Sequence, residues 1–580
     1  MINKDNTKKR QNRIIFLEIL IFIVIVLLGA RSVDLQIFKA FSLNKKAVRE
    51  YTRYSIIQGK RGQIYDRNMN ELSTSINTLS IAVAANQIND PDKTASKLAT
   101  ALGINKYDIK KKLSSKKPFV WIERRVTPNK IEKVKALGLD HVFFKKDTRR
   151  YYPNKGLAGQ VIGFTGIDNK GLEGLEYKYN EILSGQNIEI QTIKDATGGL
   201  VGSEDTFDNK FSGNSLVLSI DKNIQFIAEH ALENAVVKED AKSGTVIVMV
   251  PATGELLAIA HYPKFNPNHY TGFTPEIWRN RAVTDQFEPG SVMKIFAVAT
   301  AINKGIFSPK SIFYCENGAY KIGDYTINDS KPYGWLTLTQ IVTYSSNIGA
   351  TKISEAMSNK AFYNSLNSFG FSKRTQIDCP GEAYGELRHY SGWSNLDSGT
   401  IAFGQGIAVS AIQLITGVST IANNGILMKP LLVKQIVSNT GEITKTNGPT
   451  PERRVISNST AQKIKRMMQE VVSEKGTGNN AFIKGYSVCG KTGTAQIPNK
   501  KSRGYSEDKF TSVFTGFAPA QNPELAILVV VNEPKNNHSG GVVAAPVFKN
   551  ILLESLNYLG IPPDFNNSQM VAEVSAKIKQ

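Results

Sequence analysis

Cysteine is scarce in this chain, with three residues among 580. Cys315, Cys379 and Cys489 lie far apart and show no metal-ligand spacing, and at most one disulfide could form among them. A disulfide-stapled scaffold is therefore excluded. We expect neither a metal ion nor any other cofactor.

Acidic residues are also in short supply, with 50 Asp and Glu against 71 Lys and Arg, a formal net charge of +21. The excess of positive charge is spread along the chain, and no nucleic-acid-binding motif accompanies it. We therefore expect no nucleic acid as partner. An anionic membrane surface and an anionic polymer suit the charge equally well.

One long apolar run lies near the N-terminus, from Ile14 to Ala30, interrupted by Glu18. Its length is at the short end for a membrane-spanning helix. A cleavable signal peptide is the alternative, but Arg31 and Asp34 follow directly and no clear small-x-small cleavage site marks the boundary. We predict a retained single-pass anchor at residues 14–30. The basic residues 1–13 would then be cytoplasmic and the rest of the chain outside.

The remaining length is too great for one hydrophobic core, so at least two domains are expected. Residues 31–210 are polar with short alternating runs and read as a spacer or interaction domain. Its predicted elements are strands near 61–68 and 79–83 and helices near 91–102 and 129–137. Arg149–Pro153 and Gly171–Glu176 are rich enough in Gly, Arg and Glu to suggest buried ion pairs or contacts between domains.

A second domain is predicted for residues 211–560, followed by a flexible tail at 561–580. A strand at 215–221 leads into a helix at 223–237, and a Pro-Ala-Thr-Gly turn joins two strands into a hairpin. Helices dominate from Ser291 to about Gly425; strands return near 487–489, 510–518 and 525–531, before a last helix near 545–559. This order predicts a multidomain α+β or α/β protein whose C-terminal antiparallel sheet is flanked by helices.

Three short motifs in the second domain carry chemistry. Ser291-Val292-Met293-Lys294 opens an apolar helix ending at Gly305, which places a hydroxyl and an amine on one face at a helix N-terminus. Ser345-Ser346-Asn347 lies between two helical stretches, in a predicted loop. Lys491-Thr492-Gly493-Thr494 lies on a predicted strand with glycines that allow close backbone approach. Each alone carries little weight, but their order on a helix start, a loop and a strand is specific.

Together these motifs resemble those of the penicillin-binding proteins and serine β-lactamases. The segments Arg61–Asn68, Arg150–Pro153 and Gly174–Glu176 look like the pedestal domain of the class B penicillin-binding proteins, a domain of the dimerisation type. Phe403-Gly404-Gln405-Gly406 and Arg281–Gly290 also match the family. Gln160 departs from the pattern, because many relatives carry histidine there. The resemblance implies an elongated pedestal at 31–210 and a β-lactamase-like transpeptidase domain.

The resemblance also implies an activity. Ser291 would be acylated by the D-Ala-D-Ala end of a peptidoglycan stem peptide, with Lys294 as general base and Ser345 as proton relay. The substrate would be held by Asn347, Lys491, Thr492, Gly493 and Thr494, and the backbone N–H groups of Ser291 and Thr494 would form the oxyanion hole. An amine of a neighbouring stem peptide would complete the cross-link. β-Lactams would acylate the same serine, and a weak D,D-carboxypeptidase activity would accompany it.

The implied setting is the bacterial cytoplasmic membrane, with the catalytic domain on the outer, periplasmic side. Residues 31–210 are too short for a glycosyltransferase domain, so a membrane glycosyltransferase of the shape, elongation, division and sporulation type is expected as partner. Length and the ending Leu559–Asp564 favour a division enzyme acting with divisome proteins, with an elongation enzyme as the alternative. A β-lactamase using Glu382 or Glu386 as base and a catalytically silent scaffold remain as further alternatives.

Overall fold

The computed structural model describes residues 4–194, 200–201, 211–499 and 504–564. Two compact units are formed, one by residues 1–59 with 185–212 and the other by residues 60–184 with 213–580. The second unit thus unites most of the predicted pedestal with the predicted catalytic domain. We call residues 60–184 the head region and residues 213–564 the C-terminal domain.

The first unit contains the predicted anchor. Its helix Lys4–Val33 continues as a π-helical turn, Asp34–Phe38, and then as the helix Ala40–Tyr51. By length and composition, the helical stretch Thr7–Phe38 is sufficient to cross a membrane, and it extends beyond the predicted 14–30 at both ends. The strand Thr52–Gln58 pairs antiparallel with Asn187–Lys194, which pairs in turn with Leu200–Val201.

A seven-stranded sheet joins the head region to the C-terminal domain. Its strands run in the order Ile443–Thr446, Val433–Val437, Ser215–Leu218, Ile64–Tyr65, Glu71–Val83 and Val120–Val126, and Val142–Tyr151 also pairs with Glu71–Val83. The helices Pro91–Leu102, Lys106–Leu113 and Pro128–Lys135 cover one face of the head strands and enclose a separate core. Short helices follow at Gly159–Ile162, Gly174–Lys178 and Asn180–Leu183.

The buried ion pairs expected in the head region are present. The Glu176 carboxylate, fully buried, accepts hydrogen bonds from Nε of Arg61 at 2.5 Å and Nε of Arg150 at 2.6 Å. Burial alone would raise the pKa of Glu176, but the two guanidinium groups hold it below its usual value. This cluster ties together three segments that are far apart in sequence.

The C-terminal domain is built on a five-stranded antiparallel sheet. The strand order is Leu256–Tyr262, Ser243–Met249, Leu525–Asn532, Tyr505–Ala518 and Cys489–Pro498. Side chains alternate between faces, so Val246 and Val248 pack on the helices Lys222–Lys238 and Ala545–Tyr558, whereas Ile247 and Met249 belong to the main core on the other face. The predicted sheet with helices on its faces is confirmed.

The main core is enclosed largely by helices. These are Pro275–Trp278, Arg281–Thr284, Lys294–Asn303, Leu338–Tyr344, Asn347–Glu355, Asn359–Ser368, Asn395–Ala402, Ala411–Ala422 and Asn458–Val472, with Gly540–Val543 beside the sheet. Short strands pair Gln286–Phe287 with Val409–Ser410 and Ile426–Met428 with Pro451–Arg454.

Helices dominate from Ser291 to about Gly425, but residues 312–337 form short strands that the sequence analysis did not predict. There Ile312–Tyr314 pairs with Trp335–Thr337, and Ala319–Ile322 pairs with Tyr325–Asn328 in a hairpin. Gly323, with φ of +60°, and Asp324 form the two-residue turn that such a hairpin requires.

The first residues of the predicted tail make defined contacts. Ile561–Asp564, the start of the tail expected to be flexible, is held against the residues before the Cys489 strand. The backbone N–H of Ser487 donates to Asp564 Oδ1 at 2.7 Å, and the Tyr486 hydroxyl donates to the Ile561 carbonyl at 2.7 Å. The predicted tail beyond Asp564 lies outside the described residues.

Candidate active site

Ser291 lies in a tight turn at the start of a buried helix. A 3₁₀-helix, Gly290–Met293, runs directly into the α-helix Lys294–Asn303, which we call the serine helix. Side chains three residues apart eclipse in a 3₁₀ turn, so Ser291 and Lys294 share a side as predicted. The α-helix itself begins three residues later than expected, and Gly305 follows its end with φ of +73°. Ser291 is partly exposed.

The Lys294 amine is wholly buried and points at the second motif. Its Nζ donates to Asn347 Oδ1 at 2.7 Å, to Ser345 Oγ at 3.2 Å and to the Ser345 carbonyl. Burial lowers the pKa of Lys294 to about 7, although the nearby Asp329 charge acts in the opposite direction. Ser345 and Asn347 hold the Lys294 amine in place. Among the described residues, Ser291 Oγ makes no hydrogen bond, and the Lys294 amine is not one of its partners.

Ser345 joins the two lysines of the predicted site. It lies between the helices Leu338–Tyr344 and Asn347–Glu355, as predicted, in a left-handed conformation with φ of +63°. Its hydroxyl oxygen lies 2.9 Å from Lys491 Nζ and 3.2 Å from Lys294 Nζ. Asn347 begins its own helix, which we call the asparagine helix, and its Nδ2 donates to the Asn328 carbonyl at 2.8 Å.

Lys491 lies on the edge strand Cys489–Pro498, which we call the lysine strand. Its buried Nζ also donates to the Thr492 carbonyl at 3.1 Å. Burial, together with the charge of Lys294, lowers the pKa of Lys491 well below its usual value.

The threonines of the lysine strand already have partners. The Thr492 side chain is buried, and its hydroxyl lies 2.9 Å from Thr477 Oγ1. Thr494 is partly exposed, and its hydroxyl accepts from the Gly540 N–H at 3.1 Å. Of the two hydroxyls predicted to bind substrate, that of Thr494 is therefore the more accessible.

Glycines allow close contact between the lysine strand and residues Pro289–Met293, which we call the serine turn. A Cβ atom on Gly493 would lie 2.7 Å from the Pro289 carbonyl oxygen, and one on Gly290 would lie 2.7 Å from the Thr494 carbonyl oxygen. Real Cβ atoms do not approach so closely, so only glycine permits this contact. The backbones of Ser291 and Thr494, the predicted oxyanion-hole residues, are consequently neighbours.

Comparison with known proteins identifies the family of the chain. The penicillin-binding protein transpeptidase domain model matches residues 244–553, and the penicillin-binding protein dimerisation domain model matches residues 56–218. The chain belongs to the class B penicillin-binding proteins.

Relatives match this class B penicillin-binding protein along almost its whole length. The probable peptidoglycan D,D-transpeptidase PenA of Neisseria meningitidis is 34% identical over 97% of this chain and 96% of its own. The Escherichia coli peptidoglycan D,D-transpeptidase FtsI is 33% identical over 94% of this chain and 91% of its own. Stage V sporulation protein D of Bacillus subtilis is 32% identical over 96% of this chain and 87% of its own. Penicillin-binding protein 3 of Mycobacterium tuberculosis, solved with aztreonam, superposes with a TM-score of 0.69 at 26% identity, covering 88% of this chain and 98% of that one.

Asp329 is a site residue that the sequence did not single out. Its carboxylate accepts from Ser346 Oγ at 2.6 Å, from the Ile348 N–H at 3.1 Å and from the Asn347 N–H, and so caps the asparagine helix from outside. Asp329 follows the hairpin, well before Ser345 in the chain. No spacing rule links it to the motif, and only the Gly323-Asp324 turn signal could have placed it nearby.

The aromatic-Gly-Gln-Gly segment, Phe403–Gly406, packs against the serine turn. Gly404 accepts from the Gly290 N–H at 3.2 Å, and a Cβ on Gly404 would lie 2.0 Å from the Gly290 carbonyl oxygen. Glu288 Oε1 accepts from the Gly406 N–H at 2.9 Å and from the Tyr505 hydroxyl at 3.1 Å. Burial raises the pKa of Glu288.

The two candidate water-activating bases have structural partners. Glu382 accepts from Thr375 Oγ1 at 2.5 Å and from the Gln376 N–H at 3.0 Å, and Glu386 pairs through its backbone with Ala408. The Glu386 side chain itself is exposed, so its structural role is through the backbone, whereas Glu382 is buried and held by its carboxylate. Cys489 is buried; burial raises the pKa of its thiol, which suits a small core residue better than a redox group.

Proposed function

We propose that this chain is a D,D-transpeptidase that cross-links peptidoglycan stem peptides through an acyl-enzyme on Ser291. The observation that carries the proposal is the Ser345 hydroxyl, which lies within hydrogen-bonding distance of two buried amines, Lys294 and Lys491, beside the serine turn. A buried amine with a pKa near 7 is a competent base at neutral pH.

Acylation begins with attack of Ser291 Oγ on the carbonyl between the two terminal D-alanines. The hydroxyl proton passes to neutral Lys294 as the new C–O bond forms. Ser345, which is hydrogen-bonded to the Lys294 amine, relays the proton from Lys294 to the leaving nitrogen. The C–N bond breaks and D-alanine departs. Lys294 is then neutral again and an ester remains on Ser291.

The substrate is held at both ends of the scissile bond. The oxyanion is stabilised by the backbone N–H groups of Ser291 and Thr494, where one such donor typically lowers the barrier by about 3–4 kcal/mol. Lys491, Thr492 and Thr494 receive the terminal carboxylate along the strand edge that Gly493 opens. Asn347 holds the substrate amide and orients Lys294.

The amine of a neighbouring stem peptide then attacks the ester carbonyl and gives a proton to Lys294. The C–O bond to Ser291 breaks as Lys294 returns that proton to Ser291 Oγ, which leaves the cross-link and the free enzyme. We expect water to compete poorly, because the Glu382 carboxylate, one of the two considered as water-activating bases, already accepts from Thr375 and from the Gln376 N–H. The other, Glu386, has an exposed side chain and pairs with Ala408 through its backbone. Hydrolysis would give only a weak D,D-carboxypeptidase activity. β-Lactams acylate Ser291 as mimics of the stem-peptide end.

The cellular setting follows from the anchor and the relatives. We place the N-terminus in the cytoplasm, one helix across the bacterial cytoplasmic membrane and the catalytic domain outside it. The similarity to FtsI supports septal synthesis, with a membrane glycosyltransferase and divisome proteins as partners. A fluorescent fusion should gather at the septum; uniform labelling of the side wall would favour the elongation alternative.

The activity is tested with purified chain, a donor pentapeptide ending in D-Ala-D-Ala and an amine-bearing acceptor peptide. Mass spectrometry should show the cross-linked dimer in excess over the hydrolysed tetrapeptide, and nitrocefin should be turned over slowly. Rapid nitrocefin turnover would contradict the proposal in favour of a β-lactamase. Absence of both products would favour a catalytically silent scaffold.

A further inference from the structure

A row of aromatic side chains, with Trp335 exposed and Tyr314 and Tyr320 half-buried, lies beside the asparagine helix. Tyr314 and Trp335 are opposite one another on paired strands, with ring centroids 5.1 Å apart. Lys352 Nζ lies 5.9 Å from the centroid of the Tyr314 ring and 4.8 Å from that of Tyr320. We call Trp335, Tyr314 and Tyr320 the aromatic row. Trp335 is 69% exposed, and Tyr325 on the adjoining hairpin is 65% exposed.

Charged groups are interspersed among these rings. Lys352 Nζ donates to Glu316 Oε1 at 2.6 Å, and the Tyr320 hydroxyl donates to the Glu355 carboxylate at 3.2 Å. The buried centre of a protein–protein interface is usually depleted of charge. A pyranose ring, with an apolar C–H face and a rim of hydroxyls, is complementary to flat rings flanked by carboxylate and ammonium groups.

The row is continuous with the candidate active site. The hairpin ends at Asn328, whose carbonyl accepts from Asn347, and Lys352 lies on the same helix as Asn347. Five residues of helix separate Asn347 from Lys352, a rise of about 7.5 Å. An extended peptide of about four residues spans about 13 Å. A sugar bound on the row would therefore lie within one stem peptide's reach of Ser291.

From this geometry we propose that the aromatic row binds the glycan strand bearing the acceptor stem peptide. The inference rests on the proposed transpeptidase function, which supplies the acceptor. The exposed Trp335 ring stacks on a sugar face, the half-buried tyrosines flank it, and Lys352, Glu316 and Glu355 hydrogen-bond the hydroxyls. The row thus presents a glycan-borne amine to the acyl-enzyme and plays no part in acylation.

The test uses the full-length chain in detergent and un-cross-linked glycan strands stripped of their stem peptides. Trp335→Ala should weaken binding of these strands about tenfold, as expected for loss of an exposed anchor ring. Trp335→Phe should restore most of it, because a flat ring is retained. Tyr107→Ala is the matched control, since Tyr107 is 71% exposed in the head region. It should bind like the wild type.

Fluorescent-penicillin labelling separates this inference from the proposed function. Trp335→Ala should be labelled at the wild-type rate while losing glycan binding. Equal glycan binding by Trp335→Ala and wild type would overturn the inference, and so would a loss of labelling, since the ring would then act on the acylation site. A wild type that is not labelled at all would contradict the proposed function, whereas the peptide-free strands would still test the row.

Discussion

At the residue scale, the site depends on two buried amines that share one hydroxyl. Two ammonium ions so close together in an apolar interior would be costly, because each loses its hydration and they repel one another. Neutralising an amine removes that cost and produces a base. Burial therefore stabilises the neutral form of Lys294, which is the form that can accept the Ser291 proton.

We predict that penicillin acylation accelerates as pH rises through about 7, since Lys294 has a pKa of about 7 and is protonated and inactive below it. Lys294→Arg, which cannot become neutral, should lower the acylation rate at least about a hundredfold. Stopped-flow labelling across pH provides the measurement, and a flat wild-type profile would contradict the assignment of Lys294 as base.

Asp329 should affect the pH at which penicillin acylation accelerates. Its charge opposes the effect of burial on Lys294, so Asp329→Asn should lower the pKa of Lys294 further and shift the acylation profile to lower pH. Asp324→Asn, in the exposed turn of the hairpin, is the control and should leave the profile in place. If both variants match the wild type, Asp329 only positions the helix.

The sequence predicted the motif residues at this scale but not their partners. Ser291, Lys294, Ser345 and Lys491 could be identified because each belongs to a short pattern on a recognisable element. Asp329 could not, because it reaches the site across a hairpin whose packing no local pattern records. The pairing of Thr492 with Thr477 was missed for the same reason.

At the element scale, the decisive contact is between the lysine strand and the serine turn. Pro289, Gly290, Gly493 and Thr494 meet backbone to backbone. This contact brings together Ser291 and Thr494, the two proposed oxyanion donors, which lie 203 residues apart in the chain. Side chains larger than hydrogen at the glycine positions would separate them.

We predict that Gly493→Ala impairs acylation without a change of fold class. Its Cβ would lie 2.7 Å from the Pro289 carbonyl oxygen and 3.0 Å from Val292, so the strand must move away from the serine turn. A displacement of about 1 Å can cost about a hundredfold in rate. Gly272→Ala is the control, because a Cβ there meets nothing within 4 Å. Equal penicillin acylation rates in the two variants would contradict this account.

Most elements were predictable where hydrophobic periodicity is strong. The helix at 91–102 and the hairpin strands around Pro251–Gly254 lie where the patterns indicate. The strands of 312–337 were missed because three- and four-residue strands carry too few positions to show alternation. The serine helix starts late because Gly290, with φ of +55°, is left-handed and the next turn is 3₁₀, neither of which a local pattern reveals.

At the scale of the whole molecule, the head region and the C-terminal domain share one sheet and several polar contacts. Asp66 accepts from the Lys222 N–H at 3.1 Å, Asn68 Nδ2 donates to Asp221 at 3.0 Å, and Arg67 pairs with Glu255 at 3.3 Å. The segment Arg61–Asn68, recognised in the sequence as a pedestal motif, thus contributes to the contact between the head region and the C-terminal domain. The sequence could not show that residues 60–184 form one compact unit with the catalytic domain.

We predict that Glu176→Gln destabilises this unit by about 3–5 kcal/mol, because it leaves two buried guanidinium groups without a counter-charge. Since the pKa of Glu176 is held below its usual value, the carboxylate's contribution is present at neutral pH and is lost only in acid. Urea unfolding is the measurement, with exposed Glu132→Gln as control. Coincident unfolding curves for the two variants would show that the cluster is not needed for stability.

The most direct test of the central claim is fluorescent-penicillin labelling of the wild type, Ser291→Ala and Ser308→Ala. Ser308 is an exposed serine beyond the serine helix and serves as the control. The account predicts one covalent adduct on the wild type and on Ser308→Ala, mapped by mass spectrometry to Ser291, and none on Ser291→Ala. Equal labelling of all three would contradict the assignment of Ser291 as the nucleophile.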